Sequence, residues 1–283
     1  MTTPGSPGDN EARRIEATGR LDEAAAVTIF PGVTLRSLVG AGAGQENLLI
    51  GLLTVAPGAS YPAYTRPFTE ALILLEGDGA LDVEDRRYRL QRFDSAALPR
   101  QIPRRVVNLS ASEPTVFQVV LASNAPLQMW VNARFDPQEQ PLGATGRVHG
   151  EWINRGDQAA PLEKAHRALF HELCDPDRDD WGLYGGIGRF EPGGRLPCYR
   201  ALRDEAITIV EGTATCIVEG RKHQLTQGAT LFVPPGLCHY AINLSLDPLV
   251  VIWVQAGGRG DRTIIDDSLC HPDRQAGRSR AHP

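Results

Sequence analysis

His239 follows a tight turn, Pro234-Pro235-Gly236, that ends the apolar run Thr230-Leu231-Phe232-Val233. Proline has no amide hydrogen and glycine admits positive φ, so the turn interrupts any strand. A second run, Tyr240-Ala241-Ile242, starts directly after the histidine. An imidazole at the mouth of such a β-structure is placed to bind a metal or to move a proton. Two carboxylates, Glu70 and Glu205, stand just ahead of the apolar runs Ala71–Leu75 and Ala206–Val210. A tyrosine precedes each by six residues, Tyr64 and Tyr199. Arg66 lies between Tyr64 and Glu70, and a second arginine, Arg104, follows the next turn. A carboxylate beside an imidazole can work as an acid–base pair. A carboxylate beside guanidinium groups forms ion pairs or completes an anion pocket.

These residues recur because the chain repeats itself. A shift of 135 residues lays Pro57-Gly58 on Pro192-Gly193, Tyr64 on Tyr199 and Glu70-Ala71 on Glu205-Ala206. The same shift lays Glu76-Gly77 on Glu211-Gly212, Pro99 on Pro234 and Asn108-Leu109-Ser110 on Asn243-Leu244-Ser245. No gap is needed, so two copies of one domain are expected. Short apolar runs end at turns in both copies, at Glu84-Asp85 and Glu219-Gly220 for example. Many short strands at this spacing imply a sandwich or barrel. Two stretches outside the strands suggest short helices, Glu11–Ala26 and Ala159–Leu169. Trp130, Trp152, Trp181 and Trp253 read as packing anchors.

The 283 residues suffice for two medium domains, each with its own core. A net charge of −5 argues against a nucleic-acid surface. No apolar run reaches the roughly 18 residues of a membrane span. The polar, turn-rich start lacks the features of a signal peptide. Five cysteines without a CxxC fit a reduced, cytoplasmic compartment.

The spacing G-x5-P-x-G-x2-H-x3-N, from Gly228 to Asn243, resembles the second signature motif of the cupin family at every fixed position. Two copies in one chain resemble the bicupins. The resemblance implies an all-β fold of two tandem jelly-roll-like barrels. The expected layout is a leader (1–30), an N-terminal barrel (31–135), a connector (136–165), a C-terminal barrel (166–258) and a loosely ordered tail (259–283). The family's first motif places two histidines and a glutamate on neighbouring positions, which with the second-motif histidine hold a divalent metal. In the first copy those ligand positions read Tyr64, Arg66, Glu70 and Arg104. Arginine cannot ligate a metal, so ion pairs are expected in place of a cofactor. The functional alternative there is a ligand-binding pocket for a small acidic molecule. In the second copy they read Tyr199, Ala201, Glu205 and His239.

Two readings of the second site stay open. Glu205 and His239, with Tyr199 as a further candidate, hold one divalent metal (Mn, Fe, Zn or Ni), and Ala201 leaves an open coordination position. Alternatively Tyr199, Glu205 and His239 are catalytic without a metal, as in sugar epimerases with cupin-like barrels. The resemblance thus implies a small-molecule enzyme: an oxygenase, hydrolase, isomerase or cyclase on a polar metabolite. The alternative function is a metal-free binding or sensing protein working through the first barrel. Pairing of cupin barrels through sheet edges implies a homodimer.

Overall fold

Glycine and proline turns cut the chain into short runs of β-branched and apolar residues, and in the computed structural model those runs are strands. The structure describes residues 15–39, 47–132, 135–144, 146–148, 150–156, 161–172, 182–257 and 262–266. There is no helix among the described residues. The strands form two barrels, each of two packed sheets.

In the first barrel, one sheet runs, in hydrogen-bonded order, Gly146–Val148, Glu151–Asn154, Ser95–Leu98, Glu70–Glu76, Thr115–Leu121, Leu49–Val55, Val33–Val39 and Val27–Phe30. The facing sheet runs Met129–Trp130, Ser60–Thr65, Arg104–Asn108, Gly79–Val83, Arg86–Leu90 and Gln138–Glu139. In the second barrel, the larger sheet runs Ala17–Arg20, Ala229–Val233, Glu205–Glu211, Leu249–Ala256, Leu183–Phe190, Ala168–Glu172 and Leu162–Ala165. Its partner runs Arg221–Thr226, Thr213–Val218, Cys238–Ile242, Tyr199–Ala201 and Arg262–Ile264.

The repeat survives as strand register. Glu70 pairs with Leu98 and Glu205 with Val233. Tyr64 pairs with Arg104 and Tyr199 with His239. Gly77 and Gly212 close equivalent turns at φ of 87° and 79°. A Cβ there would meet the carbonyl of Pro114 or Pro248 at 2.5 or 2.6 Å, so only glycine fits. Each barrel has its own apolar core, and a third cluster lies between the two large sheets, where Ile73, Val120, Ala206 and Ile252 meet. Buried apolar area between the sheets holds the barrels together.

Both helix expectations are overturned. Within Glu11–Ala26, residues 11–14 lie outside the described residues, and Ala17–Arg20 is a strand on Ala229–Val233. The weak apolar face gives a helix nothing to bury, whereas the sheet edge supplies partners for the backbone. Gly19 makes that seat possible, because a Cβ there would collide with Leu38 O. Within Ala159–Leu169, residues 159 and 160 lie outside the described residues, and the remainder forms a hairpin. Leu162–Ala165 pairs with Ala168–Glu172 around a turn at His166-Arg167. Phe170 from that hairpin is buried in the second core.

The strands Ala17–Arg20 and Glu151–Asn154 occupy equivalent places in opposite barrels, Ala17–Arg20 as a sheet edge and Glu151–Asn154 flanked by the outer strand Gly146–Val148. Ala17 pairs with Phe232, and Trp152 pairs with Ala97. The strand that precedes the first barrel thus completes the second, and the strand that precedes the second completes the first.

Candidate functional site

In the first barrel, strand alternation turns Tyr64 and Arg104 inward beside Glu70, and all three are fully buried. Tyr64 Oη donates to Glu70 Oε2 at 2.9 Å. Arg66 Nε donates to Glu70 Oε1 at 2.7 Å, and its Nη1 donates to Leu127 O at 2.9 Å. Arg104 Nε lies 3.1 Å from Glu70 Oε2 but is not aligned for a hydrogen bond. Its Nη1 donates to Pro99 O at 3.3 Å, and its buried Nη2 has no partner. One carboxylate against two guanidinium groups leaves one positive charge in excess. Burial, and next the Glu70 charge, hold the Tyr64 phenol protonated well above its ordinary range. Arg66 reaches the wall of a cavity of about 410 Å³ lined by apolar side chains and by Tyr61, Gln128 and Trp130.

In the second barrel, Tyr199, Glu205 and His239 converge. Tyr199 Oη donates to Glu205 Oε1 at 2.7 Å. The Tyr199 and His239 rings stack at a tilt, 4.3 Å between centroids. His239 Nδ1 lies 3.0 Å from Leu237 O, and a carbonyl only accepts, so Nδ1 carries the hydrogen. His239 Nε2 then faces Glu205 Oε2 at 3.6 Å, beyond hydrogen-bond length, and both atoms are buried without a partner.

Ala201 does not leave an opening. Arg262 pairs with Ala201 across the sheet and supplies the guanidinium that Arg66 supplies in the first barrel. Arg262 Nη2 donates to Glu205 Oε1 at 3.0 Å, and the guanidinium lies 4.7 Å from the ring centres of both Tyr199 and Trp253. Burial raises the Glu205 carboxyl, but the Arg262 charge, His239 and the Tyr199 bond outweigh it and bring it down to about 2. Burial and the Glu205 charge push the Tyr199 phenol well above its ordinary range. The cavity beside these residues measures only about 10 Å³, room for about one water.

Arg262 is the site residue that sequence reasoning missed, in a stretch expected to be loose tail. The repeat carried a signal for it. Met129–Trp130 pairs with Tyr64-Thr65 much as Thr263-Ile264 pairs with Tyr199-Arg200, which sets Arg262 at the place of Gln128. The tryptophans differ among themselves. Trp253 is buried, Trp152 is half-buried, Trp130 stands half-exposed at the mouth of the large cavity, and Trp181 lies outside the described residues. Cys238 faces away from the site, whereas Cys216 pairs with Ala241 on the inward face and acts on Tyr199 through its charge. Arg200 Nε donates to Cys238 Sγ at 2.9 Å on the opposite side of the strand pair. Cys238 and Cys216 are free thiols, whereas Cys198 is disulfide-bonded, which departs from a fully reduced set.

The residues present do not fit a metal centre. A buried metal wants three or more protein ligands, and no cluster of three or more His, Cys, Asp or Glu residues occurs among the described residues. Tyr199 keeps its proton, and a guanidinium already sits on the Glu205 carboxylate.

Residues 51–121 and 186–255 each match the family model of the cupin domain. The fold is shared with oxalate decarboxylases. The structure from Lactobacillus farciminis, described as a formate complex, is 14% identical, with a TM-score of 0.70 over 88% of each chain. That from Bacillus subtilis, described at pH 4.6, is 14% identical, with a TM-score of 0.68 over 88% of this chain and 78% of that one. No curated protein sequence matches.

Proposed function

This chain is a bicupin of the cupin superfamily, and on that premise we propose that it is a small-molecule enzyme working by proton transfer in the second barrel. The observation that supports this reading is the buried pair of unpartnered atoms, His239 Nε2 and Glu205 Oε2, 3.6 Å apart. Buried polar atoms are rarely left without partners. Here the lone pair of a basic nitrogen faces an ionised carboxylate, and a proton on Nε2 relieves that conflict. His239 therefore acts as the base. Glu205 stabilises the imidazolium that forms, and Leu237 O fixes the ring's tautomer. Tyr199 holds Glu205 in place and keeps its own proton. Arg262 steadies negative charge on the substrate.

The substrate class is a small polar molecule bearing a carboxylate or forming an oxyanion. The solved neighbours are named for acting on oxalate, a dicarboxylate, which is consistent with a guanidinium in the site. With room for about one water beside these residues, substrate entry requires part of the wall to move, and Arg262–Ile264 is the segment proposed to do so. That strand is an edge strand of three residues, which favours such movement. A divalent metal, which the family resemblance suggests, has no complete donor set among the described residues, and no step is assigned to one.

Hydrogen exchange tests the reading. Wild-type protein is incubated in D2O with a panel of hydroxy and keto carboxylates, and carbon-bound deuterium is read by NMR. Incorporation in at least one panel member, lost in His239→Ala and retained in Arg66→Gln, is the expected result. Incorporation unchanged in His239→Ala, or none in any member, overturns it.

A further inference from the structure

The excess charge of the first barrel and the cavity beside it belong together. We infer that the first barrel is a binding site for an amphipathic monocarboxylate, held by Arg66 through its carboxylate and by the apolar cavity through its body. This site is independent of the proton-transfer centre in the second barrel.

Charge is the first ground. Glu70 balances only one of two buried arginines, and Arg104 Nη2 is fully buried without a partner. A buried charge that lacks a counter-charge is costly. One further negative charge completes the cluster. A carboxylate supplies one, whereas a phosphate near neutral pH supplies closer to two.

Geometry is the second ground. Arg66 spends Nε on Glu70 and Nη1 on Leu127 O, which leaves Nη2 for a ligand on the cavity wall. Tyr61 Oη donates to Gln128 Oε1 at 2.6 Å, so the Gln128 amide hydrogens remain available to a second ligand oxygen. Carboxylate recognition by a guanidinium and an amide is directional and charge-assisted.

Shape is the third ground. The remainder of the cavity is apolar, with Leu35, Leu53 and Val119 among its walls. Its volume of about 410 Å³ falls in the range of small-molecule sites. Trp130 stands at the mouth, edge-on to Tyr61 at 5.3 Å. A fully polar ligand such as a short dicarboxylate would leave these walls unused. An aromatic or branched aliphatic acid covers them.

Isothermal calorimetry on the full chain tests the site with phenylacetate, hexanoate, 2-phenylethanol and inorganic phosphate. Saturable binding of phenylacetate or hexanoate is expected, at least tenfold tighter than that of 2-phenylethanol or phosphate. Arg66→Gln should weaken it at least tenfold, Trp130→Ala should weaken it measurably, and His239→Ala should leave it unchanged. If Arg66→Gln does not fold, Gln128→Leu and Trp130→Ala decide, since neither touches the ion cluster. Binding of the neutral alcohol as tightly as the acid overturns the inference. So does binding lost in His239→Ala but kept in the first-barrel variants, or no binding of either acid. The His239→Ala arm separates failure here from failure of the proton-transfer reading.

Discussion

Arg262→Ala is the sharpest perturbation of the second barrel. Glu205 is fully buried, and its carboxyl is brought down to about 2. An unfolded glutamate titrates near 4.3. Because the folded value is depressed, the contribution to stability is fully present above the unfolded value. It is lost as pH falls from about 4.5 to about 2. The difference of about 2 units corresponds to about 3 kcal/mol at neutral pH. Removing Arg262 strips the largest favourable influence from that carboxylate and leaves it with Tyr199 and His239. Breaking a buried pair costs about 3–5 kcal/mol. Arg262 retains 27% side-chain exposure, so water tempers the loss to about 2–4 kcal/mol. For a chain of this size that lowers the thermal midpoint by roughly 3–7 °C. The assay is urea and thermal unfolding of both proteins from pH 3 to pH 8. The variant should be weaker at pH 8 and should lose less stability between pH 5 and pH 3 than wild type. A midpoint within about 0.5 kcal/mol of wild type at pH 8, or an identical acid limb, refutes the electrostatic account.

Glu70→Gln should destabilise the first barrel by about 1–3 kcal/mol, because it leaves Arg66 and Arg104 without their carboxylate; an unchanged unfolding midpoint counts against that pairing. Metal analysis of protein purified without chelator should give well under one divalent ion per chain. Near-stoichiometric metal that disappears in His239→Ala would show the donor-set argument to be mistaken. Light scattering should give the mass of two chains, and a single-chain mass at all concentrations would rule out the dimer.

The two-barrel architecture was legible because it rests on glycines and prolines at fixed intervals. Gly77 and Gly212 recur since each turn places a carbonyl where a Cβ would be. Tyr64, Arg66, Glu70 and Arg104, and likewise Tyr199, Glu205 and His239, were legible as groups because strand pairing carries the 135-residue register into space. Arg262 was not, because its role depends on an edge strand that follows a break in the repeat and is offset by one residue. The strand at Ala17–Arg20 was hidden for a different reason. Four residues carry no period long enough to separate strand from helix, and the pairing partner lies in the far half of the chain.

The reciprocal placement of Ala17–Arg20 and Glu151–Asn154 bears on how the protein is made. During synthesis Ala17–Arg20 emerges early, but its partner Ala229–Val233 emerges only when most of the chain is out. The first half likewise waits for Glu151–Asn154 before its sheet edge at Ser95–Leu98 is covered. Each half-made barrel therefore presents an open strand edge on the ribosome, of the kind that invites pairing with other chains. A second nascent copy offers the same Ala17–Arg20 strand to a finished Ala229–Val233, so slow translation or crowding would favour exchanged dimers over monomers with their own strands home. Splitting the gene between the barrels would likewise yield two fragments that recover native edges only by finding each other.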